Sequence, residues 1–187
     1  MEVASSMLWR RIDAPGHDAC RLERADGGWR LEGAAVFRGR ECPTHLAYSV
    51  QCDALWRTVS GWVRGFAGER AVEAVIVRRN STWTLNGAPV PGLDHLLDLD
   101  LSFTPATNLQ QLRRVPIVVN VSVSLPVAWF DADTGRLTEL PQTYERRGPN
   151  AFWYRAPSVG YEGLLELAPN GFVRHYPNLW SADASLE

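Results

Sequence analysis

Two carboxylates separated by a single residue are the strongest candidates for acid–base chemistry in this sequence. Asp98 and Asp100 occur in the segment DLDLS, where strand alternation places both of them with Ser102 on one face. Their Cα atoms would lie about 6.6–7 Å apart, and two close carboxyl groups can separate their pKa values and act as acid and base. Three interpretations stay open: catalysis, contact with a ligand, or pairing with Arg113, Arg114 or backbone N–H groups at the start of a following helix.

The motifs of other catalytic classes do not occur. The chain has no GxSxG nucleophile elbow, no HExxH zinc motif and no glycine-rich phosphate loop. Its four histidines, at positions 17, 45, 95 and 175, show no spacing typical of zinc ligands. All 19 basic residues are arginine, which excludes lysine chemistry such as a Schiff base. The sequence therefore predicts no catalytic residues, no metal and no cofactor, and it favours a non-enzymatic protein.

Charge and composition argue against two classes of partner. The formal net charge is -2 and the pI is about 6.1, whereas a nucleic-acid-binding surface needs a basic excess. No run approaches the ~18 apolar residues that cross a bilayer, and no apolar signal-peptide core follows the N-terminus, so we expect a cytoplasmic protein. Three cysteines without a CxxC pair are expected to be free. We expect the 187 residues to form one domain, 1–187.

Tryptophan is over-represented. An indole offers a flat apolar face to a sugar ring or an acyl chain, together with one N–H donor. Each tryptophan alone is better explained as part of a thick β core, but together they make an aromatic-lined cavity a reasonable hypothesis. The eight stand at positions 9, 29, 56, 62, 83, 129, 153 and 180.

Short strands separated by turn residues would have to position these side chains. In THLAYSVQC, residues Leu46, Tyr48, Val50 and Cys52 alternate on one apolar face. Asp26-Gly27-Gly28 and Asn86-Gly87 are hairpin turn signals. Further strands are expected in the segments before and after Asp26-Gly27-Gly28 and in ALWRTVSGWVRGF, AVEAVIVRR, STWTL, RLTELPQTYERR, AFWYRA, YEGLLEL and FVRHY, with turns at DADTG and Pro169-Asn170-Gly171. About ten strand candidates without βαβ alternation predict a mostly antiparallel β protein.

Two further segments have distinct patterns. IVVNVSVSL has the most regular alternation and predicts a strand over 117–125. Residues 104–114 predict a short helix, with Thr104 as N-cap and Pro105 at the first helical position, or with Thr107 and Gln110 as a capping box. Pro116 would end it.

The segment DLDLSFTPATNLQQLRR matches a pattern that runs D-x-D-L, then S/T-P-x-T-N, then an aliphatic residue and R-R. The matching residues are Asp98, Asp100, Leu101, Thr104, Pro105, Thr107, Asn108, Leu112, Arg113 and Arg114. On these residues the chain resembles the putative glycolipid-binding family of small bacterial proteins. YSVQCDALWRT and NGFVRHYPNLW resemble that family's outer motifs in the expected order. The chain departs between Asn108 and Arg113, where Leu109-Gln110-Gln111-Leu112 replaces T-L-P-I and leaves room for a helical turn.

The resemblance implies a single, strongly curved antiparallel sheet, a spiral β-roll or half-barrel similar to bacterial lipoprotein carriers, with one or two short helices. It implies an amphipathic ligand, a glycolipid or lipid, in the concavity of that sheet. The candidate ligand-binding residues are Asp98, Asp100, Thr104, Asn108, Arg113, Arg114, Trp83 and Tyr176. Two alternatives stay open: a carbohydrate- or ester-active hydrolase that uses Asp98 and Asp100, and a protein-interaction module. A homodimer is also an open possibility.

Overall fold

A computed structural model of the chain describes residues 2–25, 27–39 and 42–186. These residues are mostly in strands, together with one α-helix, α1 (Asn108–Arg114), and a 3-10 turn at Pro157–Val159. The strands are β1 (Glu2–Arg11), β2 (Gly16–Ala25), β3 (Gly28–Arg38), β4 (Pro43–Asp53), β5 (Thr58–Ala67), β6 (Arg70–Arg79), β7 (Thr82–Leu85), β8 (Ala88–Val90), β9 (Leu99–Leu101), β10 (Ser122–Ser124), β11 (Val127–Asp131), β12 (Arg136–Leu140), β13 (Thr143–Arg146), β14 (Ala151–Ala156), β15 (Tyr161–Leu167), β16 (Val173–Tyr176) and β17 (Trp180–Leu186).

Fourteen of these strands form one open antiparallel sheet in the order β10-β13-β14-β15-β16-β17-β1-β2-β3-β4-β5-β6-β7-β8. Strands β1 to β8 follow one another as a meander, and β17 pairs with β1, so the last strand lies beside the first. The edge strand β8 contains Pro89, and an edge tolerates the missing N–H of a proline. The prediction of a mostly antiparallel β protein is confirmed.

A smaller sheet has the order β12-β11-β9. Strands β11 and β12 are an antiparallel hairpin around Asp131–Gly135, the turn predicted from DADTG. Strand β9 pairs with β11 in parallel, with Asp100 opposite Trp129. This parallel pairing positions the DLDLS segment, and the sequence did not predict it.

One face of the large sheet carries the core. Leu46, Tyr48, Val50 and Cys52 are at most 3% exposed, as their alternation in β4 predicted. The ring of Tyr48 lies over Gly33 of β3, and a Cβ atom at position 33 would come within 2.5 Å of the Tyr48 hydroxyl oxygen. A side chain at position 33 would therefore displace Tyr48 from this face.

The tight turns follow the turn chemistry of the sequence. Asn86 and Gly87 adopt φ values of 51° and 83° between β7 and β8, as a two-residue hairpin turn requires. Asn170 and Gly171 turn the chain between β15 and β16. Asp26 of the first predicted hairpin turn lies outside the described residues, although β2 and β3 on either side of it pair as expected.

The strand predicted over 117–125 is mostly wrong. Only Ser122–Ser124 forms a strand, β10, at the edge of the large sheet. Before it, Asn120 adopts a left-handed φ of 62° and its N–H donates to the Arg146 carbonyl, which breaks the extended run. Val118, Val119 and Val121 are exposed. Alternation predicted burial on one face, but a strand also needs a neighbour along its full length. In this segment β13 pairs antiparallel with Ser122–Ser124 alone, and a single parallel bridge joins Val119 to Arg146.

The short helix is confirmed, but neither predicted cap forms. The helix begins at Asn108 with Thr107 at the N-cap, and the Thr107 side chain makes no capping hydrogen bond. Thr104 Oγ1 accepts a hydrogen bond from the Ala106 N–H, ahead of the helix. Both threonine hydroxyls are committed to tertiary contacts, which compete with local capping.

The three cysteines are free, as predicted, and Cys20 and Cys52 are buried. Over the described ranges, α1 and the other helical turn are too short to cross a bilayer.

Candidate functional site

The segment 98–114, called the central segment below, contains buried polar side chains because one edge of β9 has no strand neighbour. The other edge of β9 pairs with β11. On the free edge, the Leu99 N–H donates to Thr58 Oγ1 at 2.9 Å and the Leu101 N–H donates to Thr107 Oγ1 at 3.3 Å. The Leu99 carbonyl accepts from Gln110 Nε2 at 3.0 Å. Side chains thus satisfy the backbone groups that a strand would otherwise satisfy.

Gln110 also joins α1 to the large sheet. Its Oε1 accepts hydrogen bonds from Thr58 Oγ1 at 2.8 Å and from Cys52 Sγ at 3.2 Å. The Gln110 side chain is fully buried. Its amide hydrogen-bonds to residues of strands β4, β5 and β9 and so joins them to the helix. This fixes the depth at which the central segment lies against the sheet.

Asp98 is fully buried and bound by one arginine. Arg114 Nε and Nη2 donate to its two carboxylate oxygens at 3.1 Å and 2.5 Å, a bidentate arrangement. The Arg114 side chain is itself only 18% exposed. The pairing with Arg114 that the sequence offered as the structural alternative is present, and both carboxylate oxygens of Asp98 take part in it.

Thr104 belongs to a buried network with Asp18 and Tyr48. Its hydroxyl donates to Asp18 Oδ2 at 2.5 Å, and the Tyr48 hydroxyl lies 3.0 Å from Asp18 Oδ2 and from Thr104 Oγ1. Burial raises the pKa of Asp18 to about 7, although these hydroxyls partly stabilise its charge. The network anchors the start of the central segment to β2 and β4.

Asp100 lines a cavity of about 260 Å³, called the Asp100 cavity below. The Thr107 hydroxyl donates to its Oδ2 at 3.2 Å. Burial raises the pKa of Asp100 to about 7, and the nearby Asp98 carboxylate adds to the rise. The other lining residues are Leu101, Ser102, Thr104, Pro105, Asn108, Trp129, Leu140, Tyr154, Val159, Tyr161, Tyr176, Leu179 and Trp180.

Four tyrosines form a connected cluster, and three of them, Tyr154, Tyr161 and Tyr176, line this cavity. The Tyr154 ring centroid is 4.9 Å from that of Tyr144 and 5.9 Å from those of Tyr161 and Tyr176. Asn108 Nδ2 donates to the Tyr144 hydroxyl at 2.6 Å, the Tyr154 hydroxyl donates to Gln142 Oε1 at 2.7 Å, and the Tyr161 hydroxyl donates to the Pro177 carbonyl at 2.8 Å. Burial raises the pKa of all four phenols, which therefore stay neutral.

A larger cleft of about 590 Å³, called the adjoining cleft, continues from this cavity. The two share Ser102, Trp129, Val159 and Leu179. The adjoining cleft is lined by the apolar side chains of Phe37, Leu46, Ala67, Val72 and Phe103, and at other points by Arg11, Asp13, Arg38, Asp131 and Asp133. Aromatic side chains are therefore concentrated in the small cavity, whereas the adjoining cleft has both apolar and charged walls.

Arg113 lies elsewhere. It is exposed, and its Nη2 donates to the Asn170 carbonyl at 2.6 Å. It lines a third space of about 500 Å³, called the tryptophan cleft, with Ala4, Ser5, Leu22, Trp29, Trp56, Pro169 and Asn170. Arg113 and Arg114 therefore point to different surroundings, although they are neighbours in the sequence.

The eight candidate residues of the sequence thus lie at four different places. Asp100, Thr104, Asn108 and Tyr176 come together at the Asp100 cavity. Asp98 and Arg114 pair with each other, and Arg113 lies in the tryptophan cleft. Trp83 is fully buried in the core, where its indole N–H donates to the Leu96 carbonyl at 3.3 Å.

Sequence reasoning missed Asp18, Trp129, Tyr154 and Tyr161 as site residues. Asp18 had a signal, because it alternates with Cys20 and Leu22 and thus places a carboxylate on an apolar face of β2. The tyrosines had none, since nothing local indicates that β14, β15 and β16 converge on the central segment. No group of His, Cys, Asp and Glu side chains in the described ranges could hold a metal ion.

Comparisons with known proteins give a family and a shared fold. A family model described as "Putative glycolipid-binding" matches residues 6–182. The chain is also similar to the crystal structure of a DUF1089 family protein from Pseudomonas aeruginosa, with a TM-score of 0.77 and 19% identity over 88% of this chain and 91% of that one. That likeness shows a shared fold. A search of functionally curated proteins gave no match.

Proposed function

Because the chain belongs to the putative glycolipid-binding family, we propose that it binds an amphipathic ligand of the glycolipid class without transforming it. The polar head would occupy the Asp100 cavity and the apolar part would extend into the adjoining cleft. The observation that carries this proposal is the continuity of a small aromatic cavity, which holds the Asp100 carboxyl, with a larger cleft whose walls are partly apolar and partly charged. Ligand sites commonly combine apolar walls with a few fixed polar groups.

The large sheet would be strongly bent around the central segment. Strands β5 and β13 lie nine positions apart in the sheet order, which corresponds to about 43 Å in a flat sheet. Yet Gln110 hydrogen-bonds to Thr58 of β5, and Asn108, two residues earlier, hydrogen-bonds to Tyr144 of β13. Both ends of that span can reach adjacent helical residues only if the sheet turns back on itself, and this supports the concave site.

The head-group chemistry follows from the lining residues. Asp100 and Asn108 offer hydrogen-bonding groups, and Trp129, Trp180 and the tyrosines offer flat apolar faces. Sugar rings suit this mixture because they present hydroxyl groups at their edges and C–H groups on their faces, and an aromatic face is apolar. A sugar head is therefore a better fit than a compact ion.

The apolar part of the ligand would gain its binding energy from burial. Phe37, Leu46, Val72, Phe103 and Leu179 supply apolar walls to the adjoining cleft. Removing an alkyl chain from water contributes roughly 25 cal/mol for each Å² buried. The charged side chains that also line this cleft would lie beside the chain rather than pair with it.

A hydrolase with Asp98 and Asp100 as its acid and base fits less well. Arg114 holds both oxygens of Asp98, so the pair has lost one of its members. Asp100 keeps a pKa of about 7 and lines the cavity, but a two-carboxylate mechanism needs a second group placed across the substrate. The binding function uses Asp100 without requiring that partner.

Alkyl glucosides and the indole N–H signals of the tryptophans test the proposal together. In ¹H–¹⁵N spectra, monomeric octyl β-glucoside should shift the signals of Trp129 and Trp180, which line the cavity. Methyl β-glucoside, which lacks the chain, should bind more weakly. Asp100→Asn should weaken octyl glucoside by about tenfold, since hydrogen bonds to charged groups are worth about 1.5–3 kcal/mol.

Asp94→Asn is the matched control, because Asp94 is exposed and lines neither space. It should bind octyl glucoside like the wild type. The proposal fails if octyl glucoside leaves the Trp129 and Trp180 signals in place, or if Asp100→Asn and Asp94→Asn bind it equally well.

A further inference from the structure

The tryptophan cleft lies at the opposite end of the sheet from the adjoining cleft. Trp29 and Phe37 stand on the same face of β3, eight residues apart, which corresponds to about 27 Å along the strand. Trp29 lines the tryptophan cleft and Phe37 lines the adjoining cleft. The two spaces are therefore separate, and a molecule in one does not contact the other.

Two indoles form the wall of the tryptophan cleft. The ring centroids of Trp29 and Trp56 are 4.8 Å apart and their planes differ by 12°, a stacked pair. Leu22 and Pro169 add apolar surface. The guanidinium carbon of Arg24 lies 4.9 Å from the centre of the Trp29 ring, so the wall is also positively charged.

The backbone is shaped to present Trp56. This residue adopts a φ of 64°, a left-handed conformation that is unfavourable for a bulky residue. Asp53 stabilises the turn, because its Oδ1 accepts hydrogen bonds from the N–H groups of Leu55 and Arg57, both at 2.9 Å. The turn thus holds the backbone of Trp56 in an unfavourable conformation and places its indole beside Trp29. The Trp56 side chain is half-buried at a surface cleft.

Arg113 supplies a fixed cation at the same cleft. The Asn170 carbonyl holds its Nη2, and the guanidinium lies over Gly171, where a Cβ atom would come within 2.9 Å of Nη2. Among the described residues Arg113 forms no salt bridge, whereas Arg114 is fully paired with Asp98. A guanidinium has five N–H donors, and the Asn170 carbonyl occupies one of them.

We propose that the tryptophan cleft is a second binding site, for an organic anion whose oxyanion pairs with Arg113 and whose apolar body lies against Trp29 and Trp56. Charge complementarity selects the anion, and the stacked indoles with Leu22 and Pro169 select the apolar body. A carboxylate and a phosphate monoester both satisfy this chemistry, since each can accept two parallel N–H donors from arginine. The site shares no lining residue with the Asp100 cavity.

Four small probes separate the parts of this proposal. Octanoate and octyl phosphate carry the apolar body with either oxyanion, 1-octanol carries the body alone, and inorganic phosphate carries the charge alone. Octanoate, octyl phosphate or both should shift the indole N–H signals of Trp29 and Trp56, and the better of the two identifies the preferred oxyanion. The signals of Trp129 and Trp180, at the Asp100 cavity, should stay in place.

Two variants test the residues. Arg113→Gln should weaken the anion at least tenfold, as expected for a lost charge-assisted pair, while Arg136→Gln, at an exposed arginine outside the cleft, should not. Trp56→Gly should also weaken it, and it keeps the fold testable because glycine adopts a positive φ without strain. Retained octyl glucoside binding by both cleft variants would show that the two sites are independent.

The inference is overturned if 1-octanol binds as tightly as the anions, if the anions shift Trp129 and Trp180 instead, or if Arg113→Gln binds them like the wild type. A failure of octyl glucoside at the Asp100 cavity would leave these readouts unchanged, because they use other residues and other signals.

Discussion

Asp98 and Asp100 stand two residues apart, yet they lie in two regions of different character. Around Asp98 every neighbour is committed: Arg114 binds both carboxylate oxygens, and Gln110 and Thr58 complete the backbone bonds of β9. Around Asp100 one hydroxyl, that of Thr107, binds the carboxylate, and a cavity begins on the other side. One short motif therefore contains both the support and the site, and the partner of each carboxylate decides its role.

The largest expected effect is on the supporting region. Arg114→Met should lower the free energy of unfolding by about 3–5 kcal/mol, because it leaves the buried Asp98 charge without its partner. Urea unfolding followed by circular dichroism measures this. Adding Asp98→Asn to Arg114→Met should restore part of the loss.

Arg174→Met is the matched control for this substitution. Arg174 pairs with Glu166 at 2.9 Å, but the side chains are 61% and 43% exposed, so the change should cost less than about 1 kcal/mol. Equal costs for Arg114→Met and Arg174→Met would mean that the Asp98 region is not a sealed support.

The carboxylate on the cavity side should make a large contribution to the pH dependence of stability. Burial holds the pKa of Asp100 near 7 in the folded protein, well above its value in the unfolded chain. The folded state then keeps a proton that the unfolded chain releases, so the contribution of Asp100 to stability is complete below about pH 4 and is lost as the pH rises towards 7. The wild type should lose about 2.4 kcal/mol relative to Asp100→Asn between pH 4.5 and 6.5, since one group changes stability by at most about 1.4 kcal/mol per pH unit.

Unfolding curves of both proteins at several pH values in that range measure the difference, and Asp94→Asn should follow the wild type. Asp18, whose pKa burial also raises to about 7, should keep part of the slope in Asp100→Asn. A constant difference between wild type and Asp100→Asn would place the Asp100 carboxyl in a polar, solvated setting like that of a surface acid.

A smaller effect is expected where the central segment joins the sheet. Gln110→Ala should destabilise the fold by about 2 kcal/mol, because the Leu99 carbonyl and the Thr58 hydroxyl both lose a buried partner. Gln51→Ala, at an exposed position of β4, should change stability by less than about 0.5 kcal/mol. If the two substitutions cost the same, the free edge of β9 is satisfied in another way.

The regular part of the fold could be predicted from the sequence because its signals are local. Alternation identified the buried face of β4, and Asn86-Gly87 identified the hairpin between β7 and β8. The same criterion failed over 117–121, since alternation describes a strand but does not supply its neighbour. The pairing of β17 with β1 and the parallel pairing of β9 with β11 depend on contacts that are distant in sequence.

The candidate site could be predicted in part for the same reason. Asp100, Thr104 and Asn108 belong to one motif and do line the cavity, whereas Arg113, from the same motif, lies in the tryptophan cleft. Tyr154 and Tyr161 come from strands that carry no comparable motif. A contiguous motif identifies candidate residues, but tertiary contacts decide which of them lie together, and the sheet order decides which other strands meet them.

The smallest expected effect sharpens the comparison on the cavity side. Tyr161→Phe removes a hydroxyl that donates to the Pro177 carbonyl at 2.8 Å, and the half-buried ring keeps its packing against Tyr154 and Tyr176. Its cost should be about 0.5–1 kcal/mol, the net value of one hydrogen bond, because water can replace the lost donor at a partly open position. Tyr154→Phe should cost more, since Tyr154 is buried and its loss leaves the buried Gln142 side chain without that partner. Thermal unfolding of the two variants side by side measures the difference. A larger cost for Tyr161→Phe would mean that the cavity wall at Tyr161 is closed to water, as the surroundings of Asp98 are.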